Sequence, residues 1–252
     1  MDVLENINSD DSLYIFCDAS TIKSREYCCA GAVATFKHDV VKETYRILKD
    51  VTVPRAEIEA IKDGVYLALF LTRKYPILKH IYLFSDSELS VFGIRDRIFS
   101  WYCEKVKDKP YYGIYLGNWE YFNIDKSALV KHQDIFLEVL YTLLKHKLNL
   151  KIYHQKGHVN LRNRENVNYA INLFAKNNMI DKNLITNDFI THITYGNDYV
   201  DMKSRNELEK FMKTTPNRDI SQAVKFTAYS PEIHKYLLEL YEDYYGGQYN
   251  GR

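Results

Sequence analysis

Residues 12–20 read SLYIFCDAS and residues 76–88 read PILKHIYLFSDSE. Each contains a run of β-forming apolar residues that stops at an aspartate, Asp18 in one and Asp86 in the other, followed by a small residue. A carboxylate at the end of an apolar strand is expensive unless water, a partner or a metal takes up its charge. Either aspartate alone is ordinary as a turn residue or helix N-cap. The two together, with an acidic helix start at Glu57, point to an open oxygen-ligand site for a hard cation such as magnesium.

Working outward, YCCAGAVATF (27–36) follows the first strand after the short polar turn TIKSRE, which reads as an antiparallel hairpin. VKETYRILKD (41–50) alternates and continues the meander. From Pro54 the period changes, and AEIEAIKDGVYLALFLTRKY carries apolar residues at helical spacing, with the proline where a helix begins. After the strand ending at Asp86, LSVFGIRDRIFSWYCEKVK (89–107) reads as a helix despite Gly93. HQDIFLEVLYTLLKHK (132–147) is a better helix, with Leu137, Leu140 and Leu144 on its apolar face. The strand LNLKIYHQ, the loop KGHVNLR and the helix ENVNYAINLFAKN come next. The order β, β, β, α, β, α, α, β, α makes an α/β fold, a mixed sheet with helices on its faces.

With 252 residues and 46% hydrophobic content the chain can bury a sizeable core. A net charge of +1 removes any argument from bulk charge for a nucleic-acid partner, so a groove must be sought locally. No apolar run approaches a membrane span, and the polar start MDVLENINSDD lacks the pattern of a signal peptide, so a cytoplasmic protein without a membrane partner is expected. Cys17, Cys28, Cys29 and Cys103 lack CxxC spacing and read as small buried side chains.

IFCDAS around Asp18, PRAEIEA around Glu57 and LFSDSELSVFGIRDRIFSW around Asp86 resemble the first three acidic motifs of the type 1 ribonuclease H family. KGHVNLRNRENVNYAINLFAK is similar to that family's closing segment, in which KGH opens a loop before a helix. The resemblance spans roughly residues 11 to 178 and implies a ribonuclease H-like mixed five-stranded sheet flanked by helices. It also implies a two-metal hydrolase cutting the RNA strand of RNA/DNA hybrids, with two Mg2+ or Mn2+ ions about 4 Å apart. Asp18 would bridge both ions, with Glu57 and Asp86 completing the sites and His158 assisting proton transfer or product departure. Glu59, on nearly the opposite face of the helix from Glu57, is expected to be solvated. The family's fourth carboxylate falls at Asn168, whose amide oxygen is neutral, so weaker binding of the second metal is expected there; Glu165, one turn earlier, is a partial substitute.

The same resemblance implies nucleic-acid contacts from Ser20 and Thr52, and from a basic protrusion that includes Arg97, Trp101 and Lys105. Val53 and Pro54 stand where asparagines are usual and cannot hydrogen-bond a 2′-hydroxyl through their side chains, which leaves a DNA-directed nuclease of the same fold as an alternative. Asn168 supports a further alternative, a catalytically impaired binding module. The aromatic stretch YYGIYLGNWEYF (111–122) suits base stacking and protein core equally.

A ribonuclease H-like domain at 1–178 is therefore expected, followed by a mainly helical extension at 179–252. In the extension, a mixed stretch runs to Tyr199, a helical patch lies near 204–212, and a helix runs from Pro231 to about Tyr245. Ile233, Tyr236, Leu237, Leu240 and Tyr244 give that last helix an apolar stripe that must be covered. Docking on the first domain is the expectation, with a homodimer or protein partner as the alternative.

Overall fold

Strand β1 (Ser12–Thr21) pairs antiparallel with β2 (Tyr27–Phe36), and β2 with β3 (Asp39–Lys49). Lys37 and His38, both at positive φ, make the tight turn between β2 and β3. On its other side β1 pairs parallel with β4 (His80–Ser85), and β4 with β7 (Leu150–His154). The sheet order β3-β2-β1-β4-β7 is thus mixed, with β1 central. The computed structural model describes residues 11–22, 27–97, 103–105, 119–122 and 132–214.

Alternation along β1 sorts its side chains between two helical layers. Helix α1 (Val53–Lys74) covers the face of Ile15 and Cys17; a Cβ at Gly64 would lie 2.4 Å from the Cys17 Sγ, so glycine permits the close approach. The opposite face carries Tyr14 and Phe16, buried with Tyr82, Phe84 and Tyr153 of the parallel strands. Two helices contribute to that aromatic layer, α4 (Arg164–Asn178) and α5 (Asn187–Thr214). Phe174 of α4 and Phe189, Ile190 and Ile193 of α5 pack there, each burial contributing on the order of 1.5 to 3 kcal/mol. At Gly196 a Cβ would stand 2.3 Å from the Phe16 ring, so this helix too is seated by a glycine.

The remaining elements are a short helix α2 (Glu88–Phe92), a π-turn at Gly93–Arg97, strands β5 (Cys103–Lys105) and β6 (Trp119–Phe122), and helix α3 (Gln133–Lys145). The chain clusters into two compact units, residues 1–91 with 148–225 and residues 92–147 with 226–252. The five-stranded sheet, α1, α4 and α5 belong to the first. In the second, β5 pairs antiparallel with β6, and Ile135, Phe136, Val139, Leu140 and Leu143 of α3 are buried. Among the described residues no helix is long and apolar enough to cross a membrane.

Three expectations differ from these observations. The single helix expected over 89–107 is broken: Gly93 sits in a π-turn, and Cys103–Lys105, in a stretch rich in β-formers, pairs as a strand. The stretch read as mixed up to Tyr199 belongs to α5, a continuous helix that begins after Thr186, whose Oγ1 accepts from the Phe189 N–H at 3.1 Å. Glu59 is fully buried rather than solvated, because Arg46 of β3 and Lys62 reach its Oε2 at 2.7 and 2.9 Å. Cys17, Cys28 and Cys29 are free and buried. The helix expected from Pro231 lies outside the described residues, as do Trp101 and residues 111–118.

Candidate active site

Asp18 lies on the α5 face of β1, two residues beyond Phe16, and Asp86 follows the last residue of β4, two residues beyond Phe84. Parallel pairing of β1 with β4 brings the two strand ends to one edge of the sheet. Glu57, in the first turns of α1, joins them. Burial pushes the Asp18 carboxyl up to about 8, helped by the charges of Asp86, Asp201 and Glu57 and opposed by the Ala19 N–H. Burial, assisted by Asp86, also raises Glu57, against a hydrogen bond from Ser87.

Each carboxylate has its own support. Ser87, the residue before α2, donates from Oγ to Glu57 Oε2 at 2.5 Å and accepts from Ser90. The Asp86 backbone oxygen accepts from His154 Nε2 at 3.2 Å, which makes His154 the Nε2–H tautomer, and its Nδ1 takes a hydrogen bond from Asn177 at 2.8 Å. Asp86 Oδ2 is approached by Asn197 Nδ2 at 3.4 Å and by the backbone of Gly157, where a Cβ would stand only 2.2 Å away. That close approach requires the glycine of the KGH loop.

Three polar residues of α5 that the sequence reading passed over reach this edge. Asn197 is 1% exposed; Asp198 Oδ1 lies 3.8 Å from His158 Nδ1; and Asp201 accepts from Ser20 Oγ at 3.0 Å. Asp198 is also raised, first by burial, then by Asp201 and Asp86, with His158 opposing. The signal that would have found them is the acid pair at 198 and 201, one helical turn apart on an otherwise core-facing helix. Reading Asn197 as a member of the buried stripe would have carried the helical patch at 204–212 back toward residue 187.

The candidate residues named from sequence therefore divide. Asp18, Glu57 and Asp86 are brought together. His158, at positive φ and exposed, sits on the loop beside Asp198. Asn168 is exposed on α4. Ser20 is buried and tied to Asp201. Thr52 is exposed at the start of α1, its side chain unused in capping. Arg97 is exposed in the π-turn and Lys105 lies on β5, both in the second unit.

Among the described residues, no three His, Cys, Asp or Glu side chains stand close enough to enclose an ion as they are. The donor set nevertheless suits one. Asp18, Glu57, Asp86 and Asp201 offer only hard oxygen, and the charges acting on Asp18 are those of other carboxylates. A divalent cation is the natural counter-charge for such a group.

The family model described as RNase H matches residues 10–182. Among solved structures, LC11-RNase H1 isolated from compost is 20% identical over 64% of this chain and 96% of its own, with a TM-score of 0.41. The foamy viral protease-reverse transcriptase in complex with dsDNA is 16% identical over 70% of this chain and 98% of that one, with a TM-score of 0.42. RNase H1 from the halophilic archaeon Halobacterium salinarum is 15% identical over 57% and 84%, with a TM-score of 0.35. No curated protein sequence matches the chain. The family model spans well over half of the chain, including the strands and helix that carry Asp18, Glu57 and Asp86, and the chain therefore belongs to the RNase H family.

Proposed function

We propose that the protein is a divalent-metal-dependent endonuclease that hydrolyses the RNA strand of RNA/DNA hybrids. The observation that carries this reading is the crowding of Glu57, Asp86 and Asp201 around a half-buried Asp18, whose carboxyl their charges help to raise. A related solved structure, LC11-RNase H1 in complex with RNA/DNA hybrid, supports the substrate class. Asp18 would be the central ligand, with Glu57 and Asp86 beside it. Asp201 of α5 supplies the fourth carboxylate in place of Asn168, since its charge reaches Asp18 whereas Asn168 is exposed on α4.

Two bound Mg2+ or Mn2+ ions would activate water and stabilise the leaving oxygen. The chain's own groups do the rest. Ser87 orients Glu57, Ser20 orients Asp201, and His158, held near Asp198 on an exposed loop, accepts or delivers a proton at Nε2. Thr52, with a hydroxyl not spent on the helix cap, faces solvent at the start of α1 and contacts the hybrid backbone.

A DNA-directed nuclease is the second reading, because Val53 at the helix start is 38% exposed and offers no side-chain hydrogen bond to a 2′-hydroxyl. The binding-module reading loses its main support once Asp201 provides the charge that Asn168 lacks. The deciding experiment incubates the full chain with labelled RNA/DNA hybrid, double-stranded RNA and double-stranded DNA, in magnesium, manganese or chelator. Cleavage of the hybrid RNA strand, with metal only, is expected. Cleavage of double-stranded DNA instead establishes the second reading, and binding without cleavage in any metal overturns both.

A further inference from the structure

Gln155 is an amide in an aromatic neighbourhood. It directly follows β7, and its N–H donates to the Ser85 carbonyl at 3.0 Å, extending the ladder beside β4 by one residue. Two residues beyond Tyr153, it lies on the α5 face of the sheet and is 1% exposed. There its Nε2 donates to Asn197 Oδ1 at 2.7 Å, while its own Oε1 is buried with no hydrogen-bond partner. An unpaired buried amide oxygen costs about 1 to 3 kcal/mol, so a methionine or leucine would suit packing better. Stability alone does not explain the glutamine.

Its partner explains it. Asn197 is equally buried and has one donor and one acceptor end to place. With Oδ1 occupied by the Gln155 N–H, Nδ2 must turn the other way, toward Asp86 Oδ2 at 3.4 Å. Were Asn197 alone flipped, its oxygen would face a carboxylate and its NH2 would face the NH2 of Gln155; the Asp86 carboxylate, which only accepts, therefore sets the direction of the pair. Gly157 closes on the same Asp86 oxygen, where even a Cβ would collide. Asp86 Oδ2 thus takes its hydrogen bond from Asn197 in a space that Gly157 leaves too narrow for a side chain.

We propose that Gln155 and Asn197 form a directional relay that positions the Asp86 carboxylate, directing Oδ2 toward Asn197 so that Oδ1 would be the oxygen that takes a cation. The proposal rests on the reading of Asp86 as a ligand. Gln155 and Asn197 are positioning residues, acting on cation affinity through Asp86. Supporting partners of this kind change metal affinity by roughly 10–100-fold. The long Asn197 to Asp86 distance places the expected effect near the lower end.

The test uses the full chain and Mn2+ as the probe, measured by calorimetric titration, with hybrid cleavage against Mn2+ concentration as a second readout. Gln155→Met keeps the volume and removes the donor; Asn197→Ser removes the contact to Asp86; Asp86→Asn is the reference for loss of the ligand. Gln155→Met and Asn197→Ser are each expected to weaken Mn2+ binding about tenfold, with the KM for hybrid unchanged. Because Gln155 acts through Asn197, the double variant should be no weaker than Asn197→Ser alone. Wild-type Mn2+ affinity in folded Gln155→Met or Asn197→Ser, with affinity lost in Asp86→Asn, overturns the relay and leaves the nuclease reading standing. If Gln155→Met fails to fold by circular dichroism, Asn197→Ser and Gln155→Leu, which likewise has no donor, decide in the same way. No Mn2+ binding by the unmodified chain overturns the nuclease reading, and the relay with it.

Discussion

Two groups of buried and half-buried acids lie in the same unit of this chain. On α1, Glu59 and Asp63 are one helical turn apart and face Arg46 of β3, which bonds Glu59 at 2.7 Å and Asp63 at 2.9 Å, with Lys62 adding a contact at 2.9 Å to Glu59. At the sheet edge, Asp18 meets Asp86, Asp201 and Glu57 instead. Burial raises both Asp63 and Asp18, but Arg46 pulls Asp63 back to about 6 while the neighbouring carboxylates push Asp18 on to about 8. Glu57 and Glu59 are two residues apart on one helix and fall on opposite sides of this division. What separates the two groups is the company each acid keeps, cations around Asp63 and other carboxylates around Asp18.

The widest separation is expected from neutralising one acid in each group. Asp18→Asn should lower hybrid cleavage by about a thousandfold or more, the several kcal/mol that a metal-held charge supplies in the transition state. Its melting temperature in chelator should be unchanged or higher, since the change relieves repulsion. Glu59→Gln should do the reverse, leaving Arg46 half-compensated and lowering stability by about 2 to 4 kcal/mol. Its cleavage per folded molecule should stay within about twofold, on the order of 0.4 kcal/mol of barrier. Thermal melts and steady-state rates on both variants check this; a Glu59→Gln protein that is stable but inactive would break the comparison.

The next effect concerns which helix supplies the fourth charge. Asp201→Asn is expected to raise the Mg2+ concentration for half-maximal cleavage and to lower the maximal rate about a hundredfold, equivalent to about 2.7 kcal/mol. Asn168→Asp, on the exposed side of α4, should change neither. If instead Asn168→Asp lowers the metal requirement while Asp201→Asn leaves it alone, α4 rather than α5 completes the site.

The contrast between these two helices also shows what a sequence makes legible. Asp18, Asp86 and Glu57 stand out because each interrupts a clean apolar period at a place where the backbone must end or begin an element. The mixed sheet follows from the same periods. The first half of helix α5, ahead of the helical patch at 204–212, is hidden because its buried face includes Asn197, a polar residue that breaks the hydrophobic stripe, and a glycine at 196 lowers helix propensity. That glycine is present because Phe16 leaves no room for a side chain, a fact visible only once the helix is on the sheet. Glu59 was misjudged for the complementary reason: its partner Arg46 lies on β3, and helical geometry alone does not show a cation arriving from a strand.

The smallest expected effect is on the pH dependence of stability, and its sign follows from the direction of each shift. Asp18 and Asp63 have folded values above those of the unfolded chain, so the folded protein holds protons that the unfolded chain has released. Each favours folding most at low pH, and the advantage is lost as pH rises through its folded value, about 6 for Asp63 and about 8 for Asp18. His192, half-buried against Tyr14 and Phe16, is lowered to about 4 by burial and by His38, and its contribution runs the other way, rising between pH 4 and its ordinary value of 6.5. Below about pH 6.5 the contributions of Asp18 and Asp63 oppose that of His192. Above it Asp18 dominates, so in chelator the melting temperature should fall between pH 6.5 and 8. A cation bound at the sheet edge keeps Asp18 ionised at no loss, so Mn2+ should flatten that slope and stabilise more at pH 8 than at pH 6.5. Asp18→Asn should flatten it without any metal, whereas Glu59→Gln should leave it in place. A slope that survives Asp18→Asn, or a Mn2+ effect equal at both pH values, would show that the uncompensated charge lies elsewhere.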